Sequence, residues 1–258
     1  MTAEFTDVTE LAGTEISAEQ LERMVHRYTW AAKYCQGKDI LEVACGSGQG
    51  LGVLLSVARS VEAGDISEPI LNIARTHYGD RVRIHKIDAE ELPFANSSKD
   101  VVLMFEAIYY LRSPEKFIEE CRRILRPGGK VLIASANPGL PDFNPSPHSF
   151  RYFKSDELRV LFANAGFATE VYGYFSVGAV SLRQRLLRPV KRLAVALGLI
   201  PKTMAGKKLL KRLVFGKLVR MPAELPGTLP TFAEPVLVGA TDTSHKVLYV
   251  CASLADKA

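Results

Sequence analysis

The stretch Asp39-Ile-Leu-Glu-Val-Ala-Cys-Gly-Ser-Gly-Gln-Gly50 decides the fold of this chain. An apolar run ends in glycines at positions 46, 48 and 50, and apolar residues resume at once from Leu51. This pattern predicts a buried strand, a tight turn and the start of a helix. Glycine tolerates both the unusual backbone angles of such a turn and the close approach of a ligand to bare backbone. The stretch therefore predicts a ligand-binding loop between a strand and a helix.

The spacing of the glycines separates the possible ligands. The G-x-G-x-x-G fingerprint of dinucleotide sites would place its last glycine at Leu51 or Val53, and the G-K-[ST] ending of a phosphate loop is absent. The remaining pattern, E-x-x-x-G-x-G-x-G from Glu42 to Gly50, resembles the first motif of class I S-adenosylmethionine (SAM) methyltransferases. The chain departs from that motif at Ala44, where the usual residue is glycine.

Further positions follow the order and spacing of the same family, over about residues 25–170. Asp65 ends a predicted strand, where a carboxylate can accept both hydroxyls of a ribose; the alternative is a capping acid for the next helix. Asp88 opens the segment Asp-Ala-Glu-Glu-Leu-Pro-Phe94, which the resemblance assigns to the adenine amino group, the alternative being a surface turn. The SAM-binding residues that the resemblance implies are Tyr28, Glu42, Ala44, Gly46, Gly48, Asp65, Ile66, Asp88, Ala89 and Glu106.

Strands alternate with helices along the first 136 residues, which predicts right-handed crossovers in a parallel sheet. The resemblance adds a last strand, at 245–252, antiparallel to its neighbour. The expected fold is α/β: a Rossmann-like, doubly wound, seven-stranded sheet, mostly parallel, with helices on both faces and an inserted helical basic segment. The expected organisation is a helical segment (1–36), a SAM-binding core (37–177), the basic helical insertion (178–244), and the final strand with a tail (245–258).

The candidates for catalysis follow the central predicted strand and a later proline-rich loop. Methyl transfer is an in-line displacement, so it depends on positioning and needs a base only when the nucleophile must lose a proton. The resemblance places Glu106 at the border between the methionine part of SAM and the acceptor. His148 is predicted to act as a base or to contact the acceptor. The full set of catalytic candidates is Glu106, Tyr109, His148 and Tyr152, and for Tyr109 the alternative is aromatic packing.

The charge of the chain is divided unevenly. Residues 181–222 carry twelve Lys or Arg and no acid, whereas the rest of the chain is acidic overall. Apolar residues from Leu182 to Ile200 follow one helical stripe among these cations. Such a segment is typical of contact with an anionic membrane surface or a lipid-linked partner, or of a lid over the acceptor. Nucleic acid is less favoured, because the apolar stripe would then have no use.

The remaining composition sets the class of protein. The four cysteines are scattered, without zinc-ligand spacing, so we expect reduced thiols and no metal. The first residues are acidic and lack an apolar signal core, and no apolar run approaches the roughly 20 residues of a membrane span. These features predict a cytoplasmic protein, peripheral to a membrane if the basic segment binds one.

The sequence therefore predicts a SAM-dependent methyltransferase that acts on an O or N atom of a small-molecule, lipid-linked or glycan-linked acceptor. One alternative is a SAM-binding interaction protein without turnover. A second is an NAD(P)-dependent oxidoreductase, against which the glycine spacing argues. The oligomeric state and the identity of the acceptor do not follow from the sequence.

Overall fold

The structure, a computed structural model, describes residues 9–179, 218–227 and 232–255. Its core is a mostly parallel sheet with helices on both faces, as the sequence predicts. The helices are α1 (Ala18–Cys35), α2 (Leu51–Leu55), α3 (Glu68–Tyr78), α4 (Pro114–Ile124) and α5 (Ser155–Asn164). The strands are β1 (Glu15–Ser17), β2 (Asp39–Val43), β3 (Ser60–Asp65), β4 (Arg83–Lys86), β5 (Lys99–Phe105), β6 (Leu125–Ala136), β7 (Phe167–Ser176), β8 (Leu218–Arg220), β9 (Val236–Leu237) and β10 (His245–Leu254).

The order of strands in the central sheet is β4-β3-β2-β5-β6-β10-β7-β9. Strands β4, β3, β2, β5 and β6 are parallel to one another. Strand β10 is antiparallel to both β6 and β7. The predicted antiparallel last strand is therefore confirmed. The connections change direction between β2 and β5, and in open α/β sheets ligands bind outside the carboxyl ends of the strands at such a point.

Successive residues of each central strand pack into two different apolar layers. In β2, Ile40 belongs to the layer that contains Trp30 of α1, whereas Leu41 belongs to the layer that contains Phe117 of α4 and Phe162 of α5. This alternation follows from the two-residue period of a strand, which points neighbouring side chains to opposite faces of the sheet. The sheet is consequently covered on both faces, so a ligand can reach it only at the ends of its strands.

Ser17 and Gln20, three residues apart, predict a capping box at the start of a helix, and α1 begins there. Ser17 Oγ accepts a hydrogen bond from the Gln20 amide at 3.1 Å, and Gln20 Oε1 accepts one from the Ser17 amide at 3.0 Å. This reciprocal pair satisfies two backbone donors that the first turn of a helix leaves unpaired. The cap fixes the start of the helix that carries Tyr28 toward the glycine loop.

Three local predictions were wrong in extent. The apolar pattern after the glycine loop predicts a helix over 49–59, but the helix is only α2, because Ser56 Oγ donates to the Val53 carbonyl at 2.6 Å and so competes with the helical backbone. The apolar run at 130–136 predicts a strand of that extent, but β6 begins at Leu125, and its Arg126 contacts Asp100 at 2.9 Å. The central sheet has an eighth strand, the two-residue β9 at its edge, which is too short for a periodic signal.

The predicted helical basic segment falls largely on residues 180–217, outside the described part of the chain. The described residues that follow it form β8, which pairs with β1 in a separate two-stranded ribbon. The domain boundaries stay a prediction. Within the part of the chain that the structure describes, no helix combines the length and the apolarity that a membrane crossing needs.

Candidate functional site

A cavity of about 1240 Å³ lies at the carboxyl ends of the parallel strands. The loop after β2, the last residue of β3, the segment after β4 and the residue after β5 all contribute to its wall. Parallel strands bring residues that are far apart in sequence to one edge of the sheet. Of the predicted residues, those that line the cavity are Tyr28, Ala44, Gly46, Asp65, Ile66, Asp88, Ala89, Glu106, Tyr109 and His148.

The glycine loop adopts the conformations for which glycine is suited. Gly46 and Gly48 have φ angles of 58° and 83°. A Cβ atom on Gly50 would lie 1.9 Å from the Tyr28 ring, so the ring packs directly on bare backbone. Gly48 does not line the cavity but packs near Tyr78, whose hydroxyl donates to the Gly48 carbonyl at 2.7 Å. The loop is thus held in shape by two tyrosines from α1 and α3.

Ala44, the departure from the family motif, also has a positive φ angle, of 57°. A non-glycine residue in this region carries a steric cost of about 1–2 kcal/mol. The geometry therefore explains why the motif usually has glycine here. Alanine meets the same requirement at some conformational cost.

We expect Ala44→Gly to change the free energy of unfolding by less than about 1 kcal/mol, because relief of the strained φ angle offsets the greater flexibility of glycine in the unfolded chain. Ala31→Gly is the matched control, since Ala31 is fully buried within α1. That change should destabilise the protein by about 2 kcal/mol, through lost helix propensity and a lost buried methyl group. Urea unfolding measures both; equal losses in the two variants would contradict strain at Ala44.

A buried carboxylate lies beneath the loop. Glu42 is 1% exposed in the middle of β2, and its Oε1 accepts a hydrogen bond from the Tyr28 hydroxyl at 2.5 Å. Its Oε2 has no hydrogen-bond partner among the described residues. Burial raises the pKa of Glu42 to about 7, against the opposing effects of Tyr28 and Arg27. The two predicted SAM residues Tyr28 and Glu42 therefore form one unit, although only Tyr28 reaches the cavity wall.

Asp65 joins two parts of the site. Its Oδ2 accepts from the Gly46 amide at 3.0 Å and its Oδ1 from the Ser67 amide at 2.9 Å. Burial raises its pKa, although these amide hydrogen bonds act in the opposite direction. The Ser67 contact at the start of α3 agrees with the capping alternative, and the Gly46 contact ties the same carboxylate to the loop. Each oxygen keeps a further lone pair for a ligand.

The segment after β4 forms the next part of the wall. Asp88 accepts a hydrogen bond from the Glu90 amide at 2.9 Å, which closes a turn, so the turn alternative is also realised. Ala89 is nearly buried beside it, and Ile66 exposes 44% of its surface at the cavity. An apolar, partly open wall with a carboxylate at its edge suits a flat heterocycle with an amino group.

The catalytic candidates are grouped on another part of the wall. The Tyr109 hydroxyl donates to Glu106 Oε2 at 3.1 Å, and the Tyr109 ring stacks on Tyr152 with centroids 4.1 Å apart. Glu106 has a φ angle of 53° and His148 one of 66°, both in a region that favours glycine. Strained non-glycine residues of this kind concentrate at functional sites. Tyr152 lies behind Tyr109 and accepts from the Ser146 amide, so it supports the group from outside the described cavity wall.

Sequence reasoning missed the contribution of α1 beyond Tyr28. Arg23 and Arg27 line the cavity, and Arg27 Nη1 lies 3.6 Å from Glu106 Oε1. Burial lowers the pKa of Arg27, but Glu106 and neighbouring groups more than compensate and raise it overall. The four-residue spacing of two arginines on a predicted helix was a usable signal, although only the fold shows which way that face points.

The chemistry of these groups is that of oxygen, nitrogen and aromatic contacts. All four cysteines are buried free thiols. Across the described ranges, no three His, Cys, Asp or Glu side chains are grouped so that they could hold a metal ion.

Part of the chain matches a known protein family. Residues 41–133 match a model described as a methyltransferase domain. A probable S-adenosylmethionine-dependent methyltransferase of Mycolicibacterium smegmatis is 36% identical over 154 residues, which are 58% of this chain and 56% of that protein. A ubiquinone biosynthesis O-methyltransferase of Rhizobium etli is 32% identical over 110 residues, which are 42% of this chain and 44% of that protein. The chain thus spans about half the length of the curated relatives that it matches.

The fold itself agrees with solved structures. The YcgJ protein of Bacillus subtilis superposes with a TM-score of 0.58 at 14% identity, covering 90% of this chain and 99% of that one. At this identity the likeness concerns the fold alone. The family match over residues 41–133, which include most of the glycine loop's strand and the loop itself, identifies this part of the chain as a class I SAM-dependent methyltransferase domain.

Proposed function

We propose that the protein transfers a methyl group from SAM to an oxygen or nitrogen atom of a small-molecule acceptor. The observation that carries this proposal is that one cavity holds two different sets of groups. The glycine loop, Asp65 and Asp88 lie on one part of the wall, and Glu106 with His148 lies on another. A volume of about 1240 Å³ exceeds the roughly 300–1,000 Å³ of a site for one small ligand, so two ligands have room.

The residues of the first set fit SAM. The left-handed turn at Gly46 leaves backbone open to a ligand, and Glu42 holds Tyr28 at the cavity wall through its hydrogen bond with the Tyr28 hydroxyl. Asp65 would hold the ribose hydroxyls, while Asp88 and Ala89 would hold the adenine. When bound, SAM supplies a methyl group activated on a sulfonium. Burial of Asp65 strengthens its hydrogen bonds to a ligand, because the local dielectric is low.

The residues of the second set would position the acceptor. Holding a nucleophile at near-attack distance lowers the barrier by as much as ~7–11 kcal/mol, so positioning by itself is a large effect. His148 would accept a proton from the acceptor hydroxyl or ammonium. Tyr109 donates to Glu106 and so fixes the orientation of that carboxylate.

The acceptor class is suggested by the wall and by one relative. Aromatic side chains contribute to the cavity, among them Phe105, Tyr109, Tyr110 and Phe150. The Rhizobium relative is named for ubiquinone biosynthesis. Both favour an acceptor with an aromatic or quinone-like ring. A lipid-linked acceptor, brought by a membrane contact of residues 181–222, stays a proposal.

We expect His148→Asn to lower turnover by on the order of 10²-fold, because a positioned general base contributes at least that much. SAM affinity should be unchanged, since His148 is not among the residues assigned to SAM. His77→Asn is the control: His77 pairs with Glu224 at 2.9 Å outside the cavity and should keep full turnover. Wild-type turnover in His148→Asn would remove His148 from the mechanism.

The proposal as a whole is tested by calorimetry followed by an acceptor screen. The protein should bind SAM in preference to NADH and release S-adenosylhomocysteine when an acceptor with a ring and a hydroxyl or amine is present. Binding of NADH in place of SAM would favour an oxidoreductase. SAM binding without product from any acceptor class would favour an interaction protein.

A further inference from the structure

Two arginines of α1 form a basic wall of the cavity. Arg23 and Arg27 are one helical turn apart, which places them on the same face of the helix. Both line the cavity together with Ala136 and Val247, at the ends of β6 and β10. Of the residues that the resemblance assigns to SAM, Glu106 borders this part of the wall, and it lies 3.6 Å from Arg27.

The hydrogen-bonding state of these arginines is incomplete. The Nε atoms of Arg23 and Arg27 are both buried, and neither has a hydrogen-bond partner among the described residues. Arg27 faces Glu106 at 3.6 Å and is also influenced by Glu10. Arg23, by contrast, makes no ion pair with any residue in the described ranges. Buried polar groups are almost always satisfied, so an unsatisfied donor beside a cavity indicates where a ligand atom belongs.

Charges are distributed unequally along the cavity. The part of the wall above β3 and β4 is acidic, with Asp65, Asp88 and Glu90. The part beside β5, β6 and β10 contains the two arginines, of which only Arg27 is balanced by a nearby carboxylate. Glu10 also lines the cavity and acts on Arg27, whereas Arg23 has no ion-pair partner in the described ranges, so one positive charge of this wall is left without an ion pair.

We propose that Arg23 and Arg27 form an anion-binding subsite that holds a carboxylate group of the methyl acceptor. A guanidinium presents paired N–H donors that match the two oxygens of a carboxylate, and one excess charge suits a monoanion. This subsite rests on the proposed function, because it deepens the assignment of the acceptor. It makes Arg23 a specificity-determining residue, which selects acidic acceptors over neutral analogues of the same shape.

The test uses benzoate and its uncharged isostere benzamide as probes, because both have the ring that the aromatic wall suits. Ligand-observed NMR titration of the SAM-loaded protein should give at least tenfold tighter binding of benzoate. Arg23→Gln should reduce this preference to less than threefold, and Arg23→Lys, which keeps the charge but loses the planar fork, should retain part of it. Arg112→Gln removes an equal charge from another part of the wall and should keep the preference.

Three results would overturn the subsite. They are equal binding of the two probes to the wild type, a preference that survives Arg23→Gln, and a preference lost equally in Arg112→Gln. A further measurement tests whether the anionic group held by Arg23 and Arg27 belongs to SAM itself. If calorimetry shows that Arg23→Gln weakens SAM binding tenfold while leaving the benzoate preference intact, the subsite serves the cofactor and the acceptor assignment is wrong.

The subsite and the proposed function can fail separately. A wild-type protein that does not bind SAM would contradict the proposed function. Titration of benzoate and benzamide in the absence of SAM then tests the subsite independently of the proposed function. Thermal melts of each variant establish that the compared proteins are folded.

Discussion

Asp65→Ala should weaken SAM binding at least tenfold while the protein stays folded. The variant would lack the two charge-assisted hydrogen bonds that the Asp65 carboxylate makes to the ribose, each worth ~1.5–3 kcal/mol before compensation. The structure adds a second loss, because the same carboxylate accepts from the Gly46 and Ser67 amides and thereby holds the loop against the start of α3. Calorimetry with SAM measures the effect.

Two further variants separate the contributions of Asp65. Asp65→Asn keeps one acceptor oxygen and should give an intermediate affinity. Asp80→Ala removes an exposed acid that does not line the cavity, and should leave affinity unchanged. Wild-type SAM affinity in a folded Asp65→Ala protein would contradict the assignment of Asp65 to the ribose hydroxyls.

Glu42→Gln should remove a pH dependence of stability that the wild type has. The pKa of Glu42 is about 7 in the folded protein, against an ordinary value of 4.5, chiefly because of burial. Between these values the folded state retains a proton that the unfolded state has released, so the wild type loses stability as pH rises from 4.5 to 7 and loses no more above that. The stability of Glu42→Gln relative to wild type should therefore rise over this range by up to about 3 kcal/mol.

Urea unfolding at several pH values measures this difference. Glu120→Gln serves as the control, because Arg123 lowers the pKa of Glu120 and its titration falls below the same range. The stability difference between that variant and the wild type should be flat from pH 4.5 to 7. A flat difference for Glu42→Gln as well would mean that Glu42 is ionised in the folded protein like an exposed glutamate.

Features that depend on neighbouring residues could be predicted from the sequence alone. The glycine loop, the capping box at Ser17 and the alternation of strands and helices are local patterns, and each was confirmed. The spacing of the glycines also indicated the family, because it does not fit the dinucleotide fingerprint. Where short-range signals were weak, as for the two-residue strand β9, the strand was not predicted.

Only the tertiary structure decided how distant residues combine. Tyr28 and Glu42 share a hydrogen bond because α1 packs across the end of β2, and Arg27 faces Glu106 because the same helix reaches the end of β5. Asp65 turned out to bind both a loop and a helix start, a double role that no single motif contains. The physical reason is that local conformation depends on adjacent side chains, whereas burial, pKa and unsatisfied donors depend on which elements pack together.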